Sequence, residues 1–185
     1  ISTQIAAPGV IEACGPGEIT AGLWPSRDAA ADGPAAGFLP QLLGALQESG
    51  VPVRESPDIR RDLWRKLVLT NGMDPLAAVT GWDTGRLSHD ERMASMLRRL
   101  LHEAATAAQV DGVAFGDDEV DEIFWVIHEL QASKAPMLVD REQGRPLELD
   151  AICGAVVRRN QQLGASAGAT EMLWTLLDRG IWAER

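Results

Sequence analysis

No stretch of the 185 residues approaches the roughly 20 uninterrupted apolar side chains that a membrane-spanning helix needs, so no membrane partner is expected. Cysteine is scarce. Cys14 and Cys153 lie far apart, with no CxxC and no metal-ligand spacing. That pattern predicts reduced thiols in a cytoplasmic protein and no bound metal. Positive charge is also in deficit, with 17 basic against 27 acidic residues and a net charge of -10. Such a chain repels phosphate backbones, and Arg98-Arg99 and Arg158-Arg159 are only pairs on mixed faces, so no nucleic-acid partner is expected. There is no GxGxxG, no P-loop and no Gly-x-Ser-x-Gly turn, which leaves no phosphate cradle and no serine elbow; the cofactor-binding residues are unassigned. The first residues, Ile1-Ser2-Thr3-Gln4, lack the basic-then-apolar run of a signal peptide.

What remains is an ordinary globular composition, 45% hydrophobic and 24% charged, enough for one domain with a core or one domain and part of another. The chain changes character near residue 57. Up to there it is rich in Gly, Pro and Ala. Ile1 to Ile5 predicts a short strand. Val10 to Cys14 and Glu18 to Gly22 predict two extended runs turned by Gly15-Pro16-Gly17. Leu39, Leu42, Leu43 and Leu46 recur at helical spacing before Gly50, and Val51-Pro52-Val53 is a further strand candidate. Strand, hairpin, helix, strand is the edge of an α/β domain, too short of strands to fold well alone.

From residue 58 the periodicity is helical almost throughout. Asp58 caps a helix carrying Ile59, Leu63, Leu67 and Val68. Ser88-His89-Asp90-Glu91 reads as a capping box opening a helix to about residue 109, with Met93, Met96, Leu97, Leu100 and Leu101 on one stripe. Further helices start at Asp117-Asp118, run from Glu148 to Leu163, and run from Ser166 to Arg179. The segment 136–147 reads as a polar loop.

Arginine outnumbers lysine fifteen to two, and the lysines are Lys66 and Lys134. A guanidinium holds its proton near neutrality, whereas an ammonium can release one when its surroundings favour it. Lys66 sits inside the apolar run Leu63 to Leu69. At i, i+4 and i+8, Lys66, Thr70 and Asp74 line one helix face over about 12 Å of axis, so a ligand could lie along them. Equally, Lys66 could be a surface lysine snorkelling from an amphipathic helix, and Asp74-Pro75 a helix start with proline at the first position. Glu148 and Asp150 stand where a helix begins. They either favour its positive end, for about 0.3–1 kcal/mol, or place Glu148 on a cleft. His89, His102 and His128 have no carboxylate or cysteine at ligand spacing and read as packing residues.

The order of these pieces resembles the C-terminal two-thirds of the ketopantoate reductase (2-dehydropantoate 2-reductase) family. Ala7-Pro8-Gly9-Val10-Ile11 and Gly15-Pro16-Gly17-Glu18-Ile19 are similar to the late strands of its nucleotide-binding domain. Ser56-Pro57-Asp58-Ile59, Leu63-Trp64-Arg65-Lys66-Leu67 and Asp74-Pro75-Leu76 resemble the opening of its helical domain. Met137-Leu138-Val139-Asp140, Gly144-Arg145-Pro146-Leu147-Glu148-Leu149-Asp150 and Ile152-Cys153-Gly154 resemble its second signature. The resemblance implies a mainly α fold. Residues 58–185 would be an all-α helical domain like the C-terminal domain of 6-phosphogluconate dehydrogenase. Residues 1–57 would be the residual α/β edge of a Rossmann domain, whose first part, with the glycine fingerprint, is not in this chain.

It also implies a chemistry for the whole protein, NADPH-dependent reduction of a small 2-keto acid such as 2-dehydropantoate. The catalytic lysine falls on Lys66, as general acid, and the second-signature glutamate on Glu148, holding the substrate hydroxyl. Thr70, Asn71 and Asp74 fall in the substrate-binding region. NADPH is not expected to bind this chain by itself. A homodimer through the helical domain is expected. The chain departs from the family where Asn is usual four and eight residues after the lysine, here Thr70 and Asp74, and where Ser is usual before Met137, here Pro136. A carboxylate at 74 would repel an anionic keto acid by about 1 to 4 kcal/mol at about 4 Å. Two other readings stand beside this one: a related reductase with a different carbonyl substrate, and a non-catalytic helical module that dimerises or binds protein through its six tryptophans.

Overall fold

The computed structural model describes residues 2–14, 17–24, 34–129 and 132–183. The chain divides into two compact units, Ile1–Leu63 and Trp64–Arg185. The division falls six residues later than the compositional change, inside a helix.

In the first unit, β1 (Ser2–Ala7) and β2 (Val10–Cys14) pair antiparallel, with Ser2 opposite Cys14 and Ile5 opposite Ile11. The turn between them uses Gly9 at φ 79°, a left-handed conformation that favours glycine. β3 (Ile19–Ala21) pairs in parallel with β4 (Val53–Glu55), and α1 (Pro34–Glu48) lies between them in sequence. The expected hairpin was therefore misassigned. The run at 10–14 turns back on the strand before it, and the run at 19–21 joins a strand that only a crossover can reach, because parallel strands cannot share a tight turn. Gly15 and Pro16 lie outside the described residues. Leu39 and Ser56 are the buried side chains of this unit among the described residues.

The second unit is built from helices. α2 (Ile59–Thr80) starts where the Asp58 carboxylate accepts the Arg61 N–H at 3.2 Å, the cap expected from the sequence. It does not restart at Asp74-Pro75. It runs straight through, and Pro75 lacks the N–H that would have met the Asn71 carbonyl. Residues 71–78 of α2 are buried without a break, so this half of the helix is enclosed rather than laid on a surface. α3 (Thr84–His89) and α4 (Glu91–Ala107) follow. The N-cap of α4 is Asp90, which accepts from Arg92 and Met93 at 3.1 and 3.0 Å; Ser88 lies within α3 and donates to Gly85 instead. A 3-10 turn, Ala108–Asp111, ends α4, and α5 (Asp117–Glu129) begins at the predicted acids.

α6 (Pro136–Glu142) occupies what read as loop, because one short turn carries too little periodicity to register. After it comes a π-helical turn, Asp150–Gly154, then α7 (Ala155–Gln162) and α8 (Gly168–Asp178). The uninterrupted helix expected from Glu148 is thus widened at its start. Gly154 permits this: a side chain there would meet Arg158 at 2.8 Å and Trp174 at 3.1 Å.

The core joins Val68 and Leu76 of α2, Leu97, Leu100 and Leu101 of α4, Ile123 and Ile127 of α5, Leu138 of α6 and Val156 of α7. Each fully buried leucine or isoleucine contributes about 1.5–3 kcal/mol over leaving it in water. A second cluster packs Ala78 and Met137 with Ile152, Cys153 and Leu177. Polar clamps fix the register. The buried Glu103 carboxylate accepts the backbone N–H groups of Ala169 and Thr170 and the Thr170 hydroxyl, all within 3.0 Å, and so caps α8 from α4.

Candidate active site

α2 presents the Lys66, Thr70 and Asp74 row anticipated from its spacing. Lys66 is exposed, and among the described residues its ammonium has no hydrogen bond or ion pair. Thr70 is half-buried, and Asp74 is 4% exposed. The row thus descends from solvent into the interior along about 12 Å of helix.

Asp74 is the electrostatically unusual member. Burial pushes its carboxyl up to about 7, against the pull of a hydrogen bond from the Met137 backbone N–H; the charges of Glu148 and Asp140 push it further up. The charge of Glu148 is therefore felt at Asp74, the inner end of the α2 row. Glu148 itself is exposed, at the start of the helical segment that holds the π turn, and its carbonyl accepts the Ile152 N–H at 3.1 Å. Among the described residues Lys66 and Glu148 form no ion pair.

Asn71 does not join this row. It is fully buried, and its amide donates to the Leu100 carbonyl and to the Thr170 hydroxyl, each at 3.2 Å. The expectation of a substrate contact there is corrected: one residue past Thr70 turns the side chain about 100° around the helix and into the α2, α4 and α8 interior.

The ion pairs that brace the segment on either side of Glu148 were not read from the sequence. Asp140 accepts from Arg145 through both Nε and Nη2, at 2.7 and 2.5 Å, and its carbonyl accepts the Arg145 N–H at 2.8 Å, closing the turn after α6. Gly144 takes φ 65° there. Asp150 pairs with Arg158 at 2.5 Å across the π turn, which holds its carboxyl below the ordinary range. Cys153, buried beside Asp74, has its thiol pushed up to about 12 by burial, opposite to what a nucleophile needs. The one available signal for this bracing was a glycine, Gly154, inside an otherwise helical run.

No group of three or more His, Cys, Asp or Glu among the described residues is placed to hold a metal ion. His89 and His128 stack at 4.0 Å between ring centroids, and His102 lies 3.9 Å from Asp117. No helix among the described residues is long and apolar enough to cross a membrane.

A comparison with protein families matches residues 58–180 to the family described as "Ketopantoate reductase PanE/ApbA C terminal". The chain belongs to this ketopantoate reductase family. Among curated relatives, the 2-dehydropantoate 2-reductase of Mycobacterium tuberculosis (strain ATCC 25618 / H37Rv) is 32% identical over 146 residues, covering 78% of this chain and 48% of that protein. The 2-dehydropantoate 2-reductase of Vibrio cholerae is 30% identical over 125 residues, 66% of this chain and 42% of that protein. Among solved structures, the 2-dehydropantoate 2-reductase of Geobacter metallireducens GS-15 superposes with a TM-score of 0.84 at 26% identity, over 97% of this chain and 58% of that one. A D-mandelate dehydrogenase solved with NADH and anilino(oxo)acetate shares the fold, with a TM-score of 0.82 at 20% identity over 96% of this chain and 57% of that one. The chain spans about half the length of the curated relatives it matches. The mainly α architecture, a helical domain after a residual α/β edge, is the fold expected from the sequence.

Proposed function

We propose that the protein containing this chain is an NADPH-dependent reductase of small 2-keto acids, of the 2-dehydropantoate 2-reductase kind. The observation that carries this reading is the α2 row. Lys66, whose ammonium has no partner among the described residues, shares a helix face with Asp74, and the charge of Glu148, 74 residues beyond Asp74, acts on that carboxyl. Relatives that match this chain are named 2-dehydropantoate 2-reductases, which supports the reaction class.

The glycines of this chain form no phosphate-binding fingerprint, so its residues do not by themselves fit the cofactor. Bound in the whole protein, NADPH would supply the hydride. The work left to this chain is polarisation, proton supply and orientation. Lys66 donates a hydrogen bond to the keto oxygen, which draws electron density there, and then gives its Nζ proton to that oxygen as the C=O bond becomes C–OH. Glu148 accepts a hydrogen bond from a substrate hydroxyl and fixes which face of the carbonyl is presented. Thr70 supplies a hydroxyl part-way along the row.

Asp74 favours a second reading within the same class, a carbonyl substrate other than ketopantoate. Once it ionises, above about pH 7, the carboxyl at the inner end of the row disfavours a substrate carboxylate beside it. A panel of ketopantoate, other 2-keto acids and uncharged ketones, assayed by NADPH oxidation with the full-length protein, tests both. Turnover of 2-keto acids supports the first reading and preference for an uncharged ketone the second. No turnover of any member sinks both and leaves a helical binding module.

A further inference from the structure

The last turn of α2 offers carbonyls that no α2 amide can satisfy. The Ala77 carbonyl accepts the Gly81 N–H at 2.8 Å, and the Val79 carbonyl accepts the Ala183 N–H at 2.9 Å. The Ala78 carbonyl accepts from Nη1 of Arg141, a residue of α6 that is 63 positions away. The same guanidinium lies 5.6 Å from the ring centroid of Trp182, so the C-terminal segment and α6 meet on the end of α2 through one side chain. A cation there also faces the negative end of the α2 dipole. Below it, Ala78 and Met137 pack in one cluster with Ile152 and Cys153, just beyond Glu148. Beyond Arg141 the chain turns tightly, locked by the Asp140–Arg145 pair, and Glu148 follows three residues later.

We propose that Arg141 is a positioning residue: by capping the C-terminal carbonyl of α2 it docks α6 there, and so fixes Glu148 against the α2 face that carries Asp74 and Lys66. The inference rests on the role given to Glu148 above. It assigns Arg141 no contact with substrate. A guanidinium suits the task because it can donate to a carbonyl in its own plane and still keep its charge near an indole, which an ammonium does less well.

A double-mutant cycle in the full-length protein tests it, using NADPH oxidation with the best substrate of the panel and hydrogen exchange on the same samples. Arg141→Met is expected to lower kcat/KM at least tenfold, and Arg141→Lys to recover it to within about fivefold. In a Glu148→Gln background, Arg141→Met is expected to cost less than a further twofold, because the two act through one group. Amides of residues 143–152 are expected to exchange at least tenfold faster in Arg141→Met, with those of 97–104 within twofold of the parent. Additive losses in the cycle, or faster exchange spread equally over both segments, overturn the proposal and leave Arg141 a general stabiliser. If Glu148→Gln alone leaves kcat/KM unchanged, the role of Glu148 fails instead. Local exchange in Arg141→Met then still shows whether Arg141 fixes the segment. Should Arg141→Met not fold, Trp182→Leu, which removes the ring near the guanidinium and keeps the donor and acceptor of the carbonyl bond, is put through the same cycle. Non-additivity with Glu148→Gln supports the proposal and additivity overturns it.

Discussion

Asp74 is the enclosed carboxyl of the α2 row, and its burial has a consequence for stability. Its ordinary value is 3.8, and burial raises it to about 7 in the folded chain. As pH climbs from about 4 to 7, the unfolded chain releases this proton while the folded chain keeps it, so folding loses stability through that window. Above 7 the loss is complete, at most about 4 kcal/mol. Asp74→Asn removes the charge and keeps the shape. The variant is expected to gain on the parent as pH rises, by about 2 kcal/mol between pH 5 and pH 8 in urea denaturation. A parent and variant whose difference does not change with pH would show that the carboxyl is not held proton-bound by the fold. The sequence made Lys66 visible, because one lysine inside an apolar helical run of an arginine-rich chain is conspicuous. It hid the state of Asp74, because Asp before Pro is also the signature of a helix start. Only the unbroken passage of α2 shows that the acid is enclosed.

At the scale of elements, α2 and α4 approach closely at Gly72. A side chain there would run into the Leu101 side chain, with the Leu97 side chain at 3.3 Å behind it. Gly72→Ala is therefore expected to cost about 1–3 kcal/mol in thermal or urea unfolding, although alanine favours helices. A neutral or stabilising result would mean that the two helices stand further apart. Long amphipathic helices were legible for the reason α4 and α5 show: an acidic first turn opens a repeated apolar stripe. Two kinds of element were not. α6 is a single short run whose register is set by packing, with no side-chain cap at Ala135 to announce it. The π turn at 150–154 keeps the residues of a helix and changes only which carbonyl each amide reaches, so periodicity passes over it. The strand pairing was missed because Gly-Pro-Gly is a stronger turn signal than Pro8-Gly9, while parallel partners leave no local mark at all.

At the scale of the molecule, the chain contains a helical unit with a large core and an α/β unit with few buried side chains among the described residues. Without a glycine fingerprint, the chain produced by itself is expected to show no saturable NADPH binding at micromolar concentrations by fluorescence titration. Micromolar binding would place a nucleotide site inside these residues and reassign the cofactor reading. The family and its architecture were legible because ordered short motifs span both units. The substrate was not, because Thr70 and Asp74 stand where the resemblance leads one to expect Asn, and the sequence does not say what those changes admit.

The most direct test concerns the ammonium on α2. In the full-length protein, Lys66→Ala is measured under saturating NADPH and substrate, with circular dichroism to confirm folding. If Lys66 delivers the proton, kcat falls about 10²- to 10⁴-fold while the fold is kept. A folded Lys66→Ala protein whose kcat stays within threefold of the parent contradicts the account.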